Sequence, residues 1–164
     1  MTYAGCIGND EWGVTMEAAV KTEGLTTLYQ KGEAATGTCA VLVKDGERSL
    51  IANLSAAEKY TIAHTETAPV QAAIKAAGIY YIAGFVLTHS ADSIMHVANH
   101  ACDNDKIMCM NAAAPFLFMV PTPTLIKPEA RIPKCRYRAR PSPYHEKGMM
   151  GSTCSTCMLL VSGL

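Results

Sequence analysis

Two histidines, His96 and His100, lie four residues apart in a segment whose apolar residues recur at helical spacing. Side chains four apart share one face of a helix, so two imidazoles at this spacing can bind one metal ion. No carboxylate or other third ligand is placed with them in the sequence. We therefore predict no metal site at this pair.

The chain also has seven cysteines at irregular spacings, which are Cys6, Cys39, Cys102, Cys109, Cys135, Cys154 and Cys157. Cys154 and Cys157 form a CxxC, a spacing used by zinc sites and by redox-active thiols. The pair is not accompanied by a second pair at zinc-finger spacing and does not lie in a βαβ context, so we interpret it as accidental. We predict reduced thiols and a cytoplasmic protein, with the nucleus as a second location.

The charge changes along the chain although the net charge is zero. Residues 1–118 carry seven Lys plus Arg against twelve Asp plus Glu, and residues 119–164 carry seven against two. Six of the eight prolines lie between Pro121 and Pro143, and proline removes backbone donors. We place a boundary near Phe118 and predict that the Pro/Arg/Cys-rich tail, residues 119–164, is irregular and disordered.

Basic and aromatic residues in this tail raise a nucleic-acid alternative. Arg136, Arg138 and Arg140 can neutralise phosphates, and Tyr137 and Tyr144 can stack on bases. Because no known binding module surrounds them, we predict no nucleic-acid partner. No apolar run reaches the length of about 18 to 20 residues that a membrane helix needs, so we predict no membrane partner either.

Arg48 follows the dipeptide Asp45-Gly46, which separates two runs rich in β-branched residues. Asp-Gly at such a place is the strongest short-range signal for a two-residue β-hairpin. Taken by itself, Arg48 is a solvent-exposed arginine at the hairpin end.

The elements around this hairpin alternate between strand and helix patterns. "YAGCIG" predicts a strand, and "NDEWGVTMEAAVKTEG" predicts a helix that Asn9 or Asp10 caps and Gly24 ends. "LTTLYQ" and "GTCAVLVKDGERSLIANL" predict further strands, which we group as a small β-structure at about residues 25–56.

A second alternation follows. "APVQAAIKAAG" and "ADSIMHVANHACDND" predict helices, and "IYYIAGFVLT" and "KIMCMNA" predict strands. Such alternation indicates βαβ units and an α/β fold around a mostly parallel sheet. Ligands bind at the carboxyl ends of strands in these sheets, which draws attention to the ends of "YYIAGF" and "IMCMNAAAPF".

Four segments, "GCIGNDEWG", "TGTCAVLVKDGERSLIANLSAA", "YYIAGFVLTHS" and "NAAAPF", resemble adenosine kinases of the ribokinase-like (PfkB) sugar and nucleoside kinase family in order and interval. The likeness covers about residues 1–118. It implies an incomplete ribokinase-like (Rossmann-like) three-layer α/β sandwich with a β-lid. It also implies transfer of the ATP γ-phosphate to the 5′-hydroxyl of adenosine to give AMP in purine salvage, with Mg²⁺ as cofactor and adenosine and ATP as partners. We further expect a monomer.

The resemblance assigns roles to individual residues. Arg48 matches the lid arginine that faces the phosphates, and Asn111 stands at a strand end where the family also has asparagine. Phe85 matches the aromatic that stacks on the purine, and Phe116 matches a second apolar wall. Lid residues that line the nucleoside site match Cys39, Leu50, Ala52 and Leu54.

Some features depart from the family pattern. His89 stands where adenosine kinases commonly carry a small apolar residue beside the purine, or it is an exposed loop histidine. No amino-terminal ribose-binding aspartate segment and no DTxGAGD-like motif, with its catalytic base, are found in these 164 residues. We therefore expect this chain to be inactive by itself. The alternative is a non-catalytic α/β fragment that retains nucleoside binding or associates through an exposed sheet edge.

Overall fold

The computed structural model describes residues 1–111 and 158–161. The strands are β1 (Thr2–Gly8), β2 (Thr26–Gly32), β3 (Thr38–Lys44), β4 (Glu47–Asn53), β5 (Ile79–Ile82), β6 (Ile107–Met110) and β7 (Met158–Val161). The α-helices are α1 (Glu11–Thr22), α2 (Ile62–Thr65), α3 (Ala68–Ala76) and α4 (Ala91–Asp103). Two 3₁₀ helices span Ser55–Lys59 and Gly84–Thr88.

The first helix begins and ends where the sequence predicts. Asp10 is the N-cap residue, in an extended conformation, and its side chain accepts a hydrogen bond from the Gly13 amide. Gly24 follows the helix with φ of +70°, a conformation that glycine adopts without steric cost. Local residue chemistry therefore fixes both ends of α1.

The main sheet has five strands in the order β2-β1-β7-β5-β6. Strand β1 is parallel to β2, and β5 is parallel to β6. Strand β7 lies between these two pairs and is antiparallel to both of its neighbours. The sheet is therefore mixed, and the prediction of a mostly parallel sheet is wrong for its centre.

Strand β7 lies in the carboxy-terminal segment that the sequence predicted to be irregular. Residues 119–164 were expected to be irregular, but Met158–Val161 pairs with both β1 and β5. Residues 112–157 and 162–164 lie outside the described part of the chain, and so do most of the predicted tail, its arginines and the CxxC.

Strands β3 and β4 form a separate two-stranded antiparallel sheet, called the hairpin below. Asp45 and Gly46 connect the two strands with φ of 52° and 82°, as a type I′ turn requires. Strand β2 belongs to the main sheet, so the separate sheet spans Thr38–Asn53 rather than the whole predicted segment 25–56.

The core forms between the sheet and helices α3 and α4. It consists of Ala4, Val70, Ile74, Ala77, Tyr80, Ile82, Ala83, Val86, Ile94, Val97 and Ala101. Tyr80 is fully buried, and its hydroxyl donates to the carbonyls of Ile74 at 2.8 Å and Ala77 at 3.1 Å. The polar end of this side chain is therefore satisfied inside an apolar core.

Two further predictions bear on the described residues. Cys6, Cys39 and Cys109 are free thiols in the described part of the chain. Helices long and apolar enough to cross a membrane do not occur within residues 1–111 and 158–161.

Candidate functional site

The hairpin carries one group of the predicted site residues. The strand register pairs Arg48 with Val43, Leu50 with Val41, and Ala52 with Cys39. Residues opposite each other across an antiparallel pair lie on the same face, and alternate residues of a strand share that face. Arg48, Leu50, Ala52 and Cys39 therefore lie on one face of the hairpin, which we call the Arg48 face.

The Arg48 face is open to solvent. Every residue of β3 and β4 is exposed, and the apolar residue Leu50 exposes 37% of its surface. Leu54 differs, since it lies beyond β4 as the N-cap residue of the 3₁₀ helix Ser55–Lys59 and is half-buried. An apolar strip with a cation at one end suits a ligand that has an apolar body and an anionic end.

The second group lies at the carboxyl ends of β5 and β6. These strands are parallel, so the residues that follow them meet at one edge of the sheet. Asn111 follows β6, and its Oδ1 accepts a hydrogen bond from the Gly84 amide at 2.6 Å. Gly84 begins the 3₁₀ helix that contains Phe85, so Asn111 holds the start of the segment that presents this ring.

Phe85 does not end a strand as the sequence predicted. Strand β5 stops at Ile82, and Phe85 lies in the 3₁₀ helix Gly84–Thr88, where it is half-buried. Its carbonyl accepts a hydrogen bond from the Thr88 hydroxyl at 2.8 Å. Phe116, the other predicted aromatic wall, lies outside the described residues.

His89 ends this 3₁₀ helix and is half-buried, so the exposed-loop interpretation is wrong. Burial lowers the pKa of its imidazole, and the negative charge of Glu58 opposes this effect. Within the described part of the chain, its buried Nε2 has no hydrogen-bond partner. The ring lines a cleft of about 200 Å³ together with Tyr60, Thr61, Ile62, Ser90, Ala91 and Asp92.

The histidine pair of α4 forms other contacts. Nε2 of His96 lies 2.7 Å from Nε2 of Gln71, and Nε2 of His100 lies 3.4 Å from Nζ of Lys106. Burial, followed by the charge of Lys106, lowers the pKa of His100. No three His, Cys, Asp or Glu side chains within residues 1–111 and 158–161 are grouped so that they could hold a metal ion.

One contact joins residues that sequence reasoning did not connect. Asp10 caps α1, and the same carboxylate accepts from the Thr36 amide at 2.6 Å and from the Thr36 hydroxyl at 2.5 Å. These hydrogen bonds lower the pKa of Asp10, the largest effect being that of the Thr36 hydroxyl. Thr36 carries no signal of its own in the sequence, because its partner is 26 residues away.

Comparison with known proteins places this arrangement in a family. The model for the pfkB family of carbohydrate kinases matches residues 1–132. An adenosine kinase from Dictyostelium discoideum is 42% identical over 116 residues, which are 70% of this chain and 34% of that protein. Adenosine kinase 2 from Arabidopsis thaliana is 46% identical over 117 residues, which are 71% of this chain and 34% of that protein.

The fold has a solved counterpart. Adenosine kinase from Schistosoma mansoni, in complex with adenosine in an occluded loop conformation, superposes with a TM-score of 0.71 at 36% identity. The match covers 75% of this chain and 36% of that one, so the chain spans about a third of the length of the relatives it matches. The predicted partial α/β fold is confirmed, and the chain belongs to the pfkB family of carbohydrate kinases.

Proposed function

We propose that this chain contributes the lid and part of the nucleoside site to a kinase that transfers the γ-phosphate of ATP to the 5′-hydroxyl of adenosine, giving AMP. The observation that carries the proposal is the hairpin register, which places Arg48 on the same face as Leu50, Ala52 and Cys39. The relatives named as adenosine kinases and the solved complex with adenosine support the same substrate.

Arg48 is proposed to face the transferring phosphoryl group. A guanidinium stays charged and can hydrogen-bond two phosphate oxygens through its planar fork. Phosphoryl transfer depends mainly on positioning and charge stabilisation, so a lid that adds a cation lowers its barrier. Closure of the hairpin also excludes water, which strengthens this interaction and prevents hydrolysis of ATP.

The apolar part of the Arg48 face and Phe85 are proposed to hold adenosine. Leu50 and Ala52 offer apolar surface next to Arg48, which suits a nucleoside whose 5′ end points toward phosphate. Phe85 offers an aromatic ring, and stacking of a base on such a ring contributes about 1 to 3 kcal/mol in nucleic-acid sites. The Asn111–Gly84 hydrogen bond keeps the segment of Phe85 in place.

Mg²⁺, which the family implies, does not fit the described residues. No cluster of three potential ligands lies within the two described ranges, and magnesium prefers oxygen ligands in near-ideal octahedral geometry. We therefore assign no Mg²⁺ ligand and no step to these residues.

We further propose that the 164-residue chain by itself binds adenosine without phosphorylating it. Its sequence contains no DTxGAGD-like motif to supply a base and an anion hole. The test combines isothermal titration calorimetry with adenosine and a mass-spectrometric assay for AMP in the presence of ATP and Mg²⁺. We expect a measurable heat of adenosine binding for the wild-type chain and a smaller one for Phe85→Ala. We expect the wild-type chain to form no AMP above the blank.

The two measurements have separate outcomes. Robust AMP formation by the purified chain would overturn the claim of inactivity while supporting the kinase assignment. The absence of binding heat at high adenosine concentration would contradict the claim that the chain by itself binds adenosine. Heat that is equal for wild type and Phe85→Ala would place adenosine somewhere other than against Phe85.

A further inference from the structure

We propose that Asp10 is a positioning residue for the hairpin, because its carboxylate fixes the segment through which the chain leaves the main sheet and so directs the Arg48 face. We call this segment, residues 34–37, the neck. Only the role of the Arg48 face in binding nucleoside and phosphate rests on the proposed function. The anchoring itself rests on the contacts of the neck.

The Asp10 carboxylate holds the neck with both oxygens. Oδ2 accepts from the Thr36 amide at 2.6 Å, and Oδ1 accepts from the Thr36 hydroxyl at 2.5 Å and from the Gly13 amide at 2.8 Å. Hydrogen bonds to a charged acceptor are shorter and stronger than neutral ones. A single side chain therefore ties the start of α1 to the neck.

Thr36 extends this connection to β1. Its hydroxyl donates to Asp10 and accepts from the Gly8 amide at 3.0 Å, and the residue exposes only 5% of its surface. Gly8 is the last residue of β1. The neck is therefore bonded at one residue to the end of a sheet strand and to the cap of the following helix.

The backbones at the neck are too close together for side chains. A Cβ atom on Gly8 would lie 2.5 Å from the Ala34 carbonyl oxygen and 2.7 Å from the Thr36 nitrogen. A Cβ atom on Gly13 would lie 2.4 Å from the Gly8 carbonyl oxygen. Real Cβ atoms do not approach other atoms so closely, so these glycines are what allow the Asp10–Thr36 contact to form.

The return path of the hairpin touches the same neck. A Cβ atom on Gly37 would lie 2.7 Å from the Leu54 carbonyl oxygen, and the Ala56 amide donates to the Ala35 carbonyl at 3.0 Å. Both chain segments that join the hairpin to the sheet are therefore held where Asp10 acts. Strands β3 and β4 are exposed along their whole length, so their direction depends on how the neck is held.

The test measures the direction of the hairpin by nuclear magnetic resonance. Residual dipolar couplings of backbone amides report whether two parts of a protein share one orientation. In the wild-type chain we expect amides of the hairpin and of the main sheet to fit one alignment tensor. In Asp10→Asn, the hairpin couplings should lose that fit while the sheet couplings keep theirs.

Asp10→Asn separates positioning from a purely structural role. Asparagine caps helices as well as aspartate does, so its side-chain oxygen can keep the Oδ1 bonds to the Gly13 amide and the Thr36 hydroxyl. The amide nitrogen that replaces Oδ2 cannot accept from the Thr36 amide, so this bond to the neck backbone is lost. The control Glu11→Gln removes the neighbouring carboxylate of the first helical turn and should leave the fit unchanged. Thr36→Ser retains the hydroxyl and should keep the fit, whereas Thr36→Val should lose it.

Several results would overturn the proposal. These are a hairpin that does not share the tensor of the sheet in the wild type, a hairpin that keeps it in Asp10→Asn, and loss of the sheet spectrum in that variant. Adenosine titration is recorded separately on the same samples. An absence of adenosine binding would contradict the proposed function and leave the orientation result standing.

Discussion

The side-chain oxygen of Asn111 accepts a hydrogen bond from the backbone amide of Gly84 at 2.6 Å. This bond joins the residue after β6 to the first residue of the 3₁₀ helix that carries Phe85. It connects the ends of two parallel strands at the edge of the sheet where ligands bind in such folds.

Asn111→Ala should therefore weaken adenosine binding without unfolding the sheet. The variant leaves the partly buried Gly84 amide without this acceptor, a loss of about 1 to 3 kcal/mol when the donor finds no substitute. Calorimetry should show a dissociation constant raised by about tenfold, since 1.4 kcal/mol corresponds to that factor. Asn104→Ala is the matched control, because the Asn104 side chain donates to the His100 carbonyl at 2.8 Å at the exposed end of α4, away from Gly84. Equal affinity for Asn111→Ala and the wild type would contradict the role.

Arg48 can be tested in an active context. A chimera of the Dictyostelium adenosine kinase would carry residues 38–53 of this chain in place of its aligned segment. In that chimera, Arg48→Ala should lower kcat/KM by about 10²–10³, the typical effect of removing one donor to a transition-state anion. Glu47→Gln changes the neighbouring residue on the opposite face and should have little effect. A similar loss for both variants would point to disruption of the hairpin rather than to phosphate contact.

Gly46→Ala should loosen the hairpin. Gly46 has φ of +82°, and placing a residue with a side chain in the left-handed region costs about 1 to 2 kcal/mol. Hydrogen exchange of the amides in β3 and β4 should accelerate by about tenfold, while exchange in β1 stays unchanged. Gly32→Ala is the control, because no atom lies within 4 Å of its Cβ position and its φ is not in the strained region. Unchanged exchange in Gly46→Ala would show that the turn does not limit hairpin stability.

Tyr80→Phe should destabilise the fold. The buried hydroxyl donates to two carbonyls at the end of α3, and its removal leaves both carbonyl oxygens without this donor. We expect a decrease in the free energy of unfolding of about 1 to 3 kcal/mol in urea denaturation. A decrease below about 0.5 kcal/mol would indicate that other donors satisfy these carbonyls.

The same residue predicts a pH dependence at alkaline pH. Burial raises the pKa of Tyr80 to about 12, above its usual value near 10, since the phenolate would lose its hydration. The neutral form is therefore preferred in the folded state. Its contribution to stability is complete below pH 10 and decreases as pH rises toward 12. Burial also raises the pKa of Tyr60, so phenolate absorbance should show late-titrating tyrosines in the wild type. The one with the pKa of about 12 should be missing in Tyr80→Phe. If all tyrosines titrate near pH 10, Tyr80 is not buried as described.

Local features of the sequence were sufficient for most elements. Asp10 and Gly24 determine the ends of α1, and Asp45-Gly46 determines the hairpin turn, because each acts on backbone within a few residues. The alternation of residues along β4 was enough to place Leu50 and Ala52 on one face. That Arg48 shares this face follows from the same period of two.

The sequence by itself determined most of the strands, helices and turns of residues 1–111, and through its motifs it indicated the family. It did not predict strand β7 or the 3₁₀ helix that contains Phe85. Only the tertiary structure decided that β2 joins the main sheet, that β7 separates the two parallel pairs and that Asp10 meets Thr36. The physical reason is range. Pairing in a sheet and a hydrogen bond across 26 residues depend on which edges and donors the whole fold brings together, and no local pattern encodes that choice.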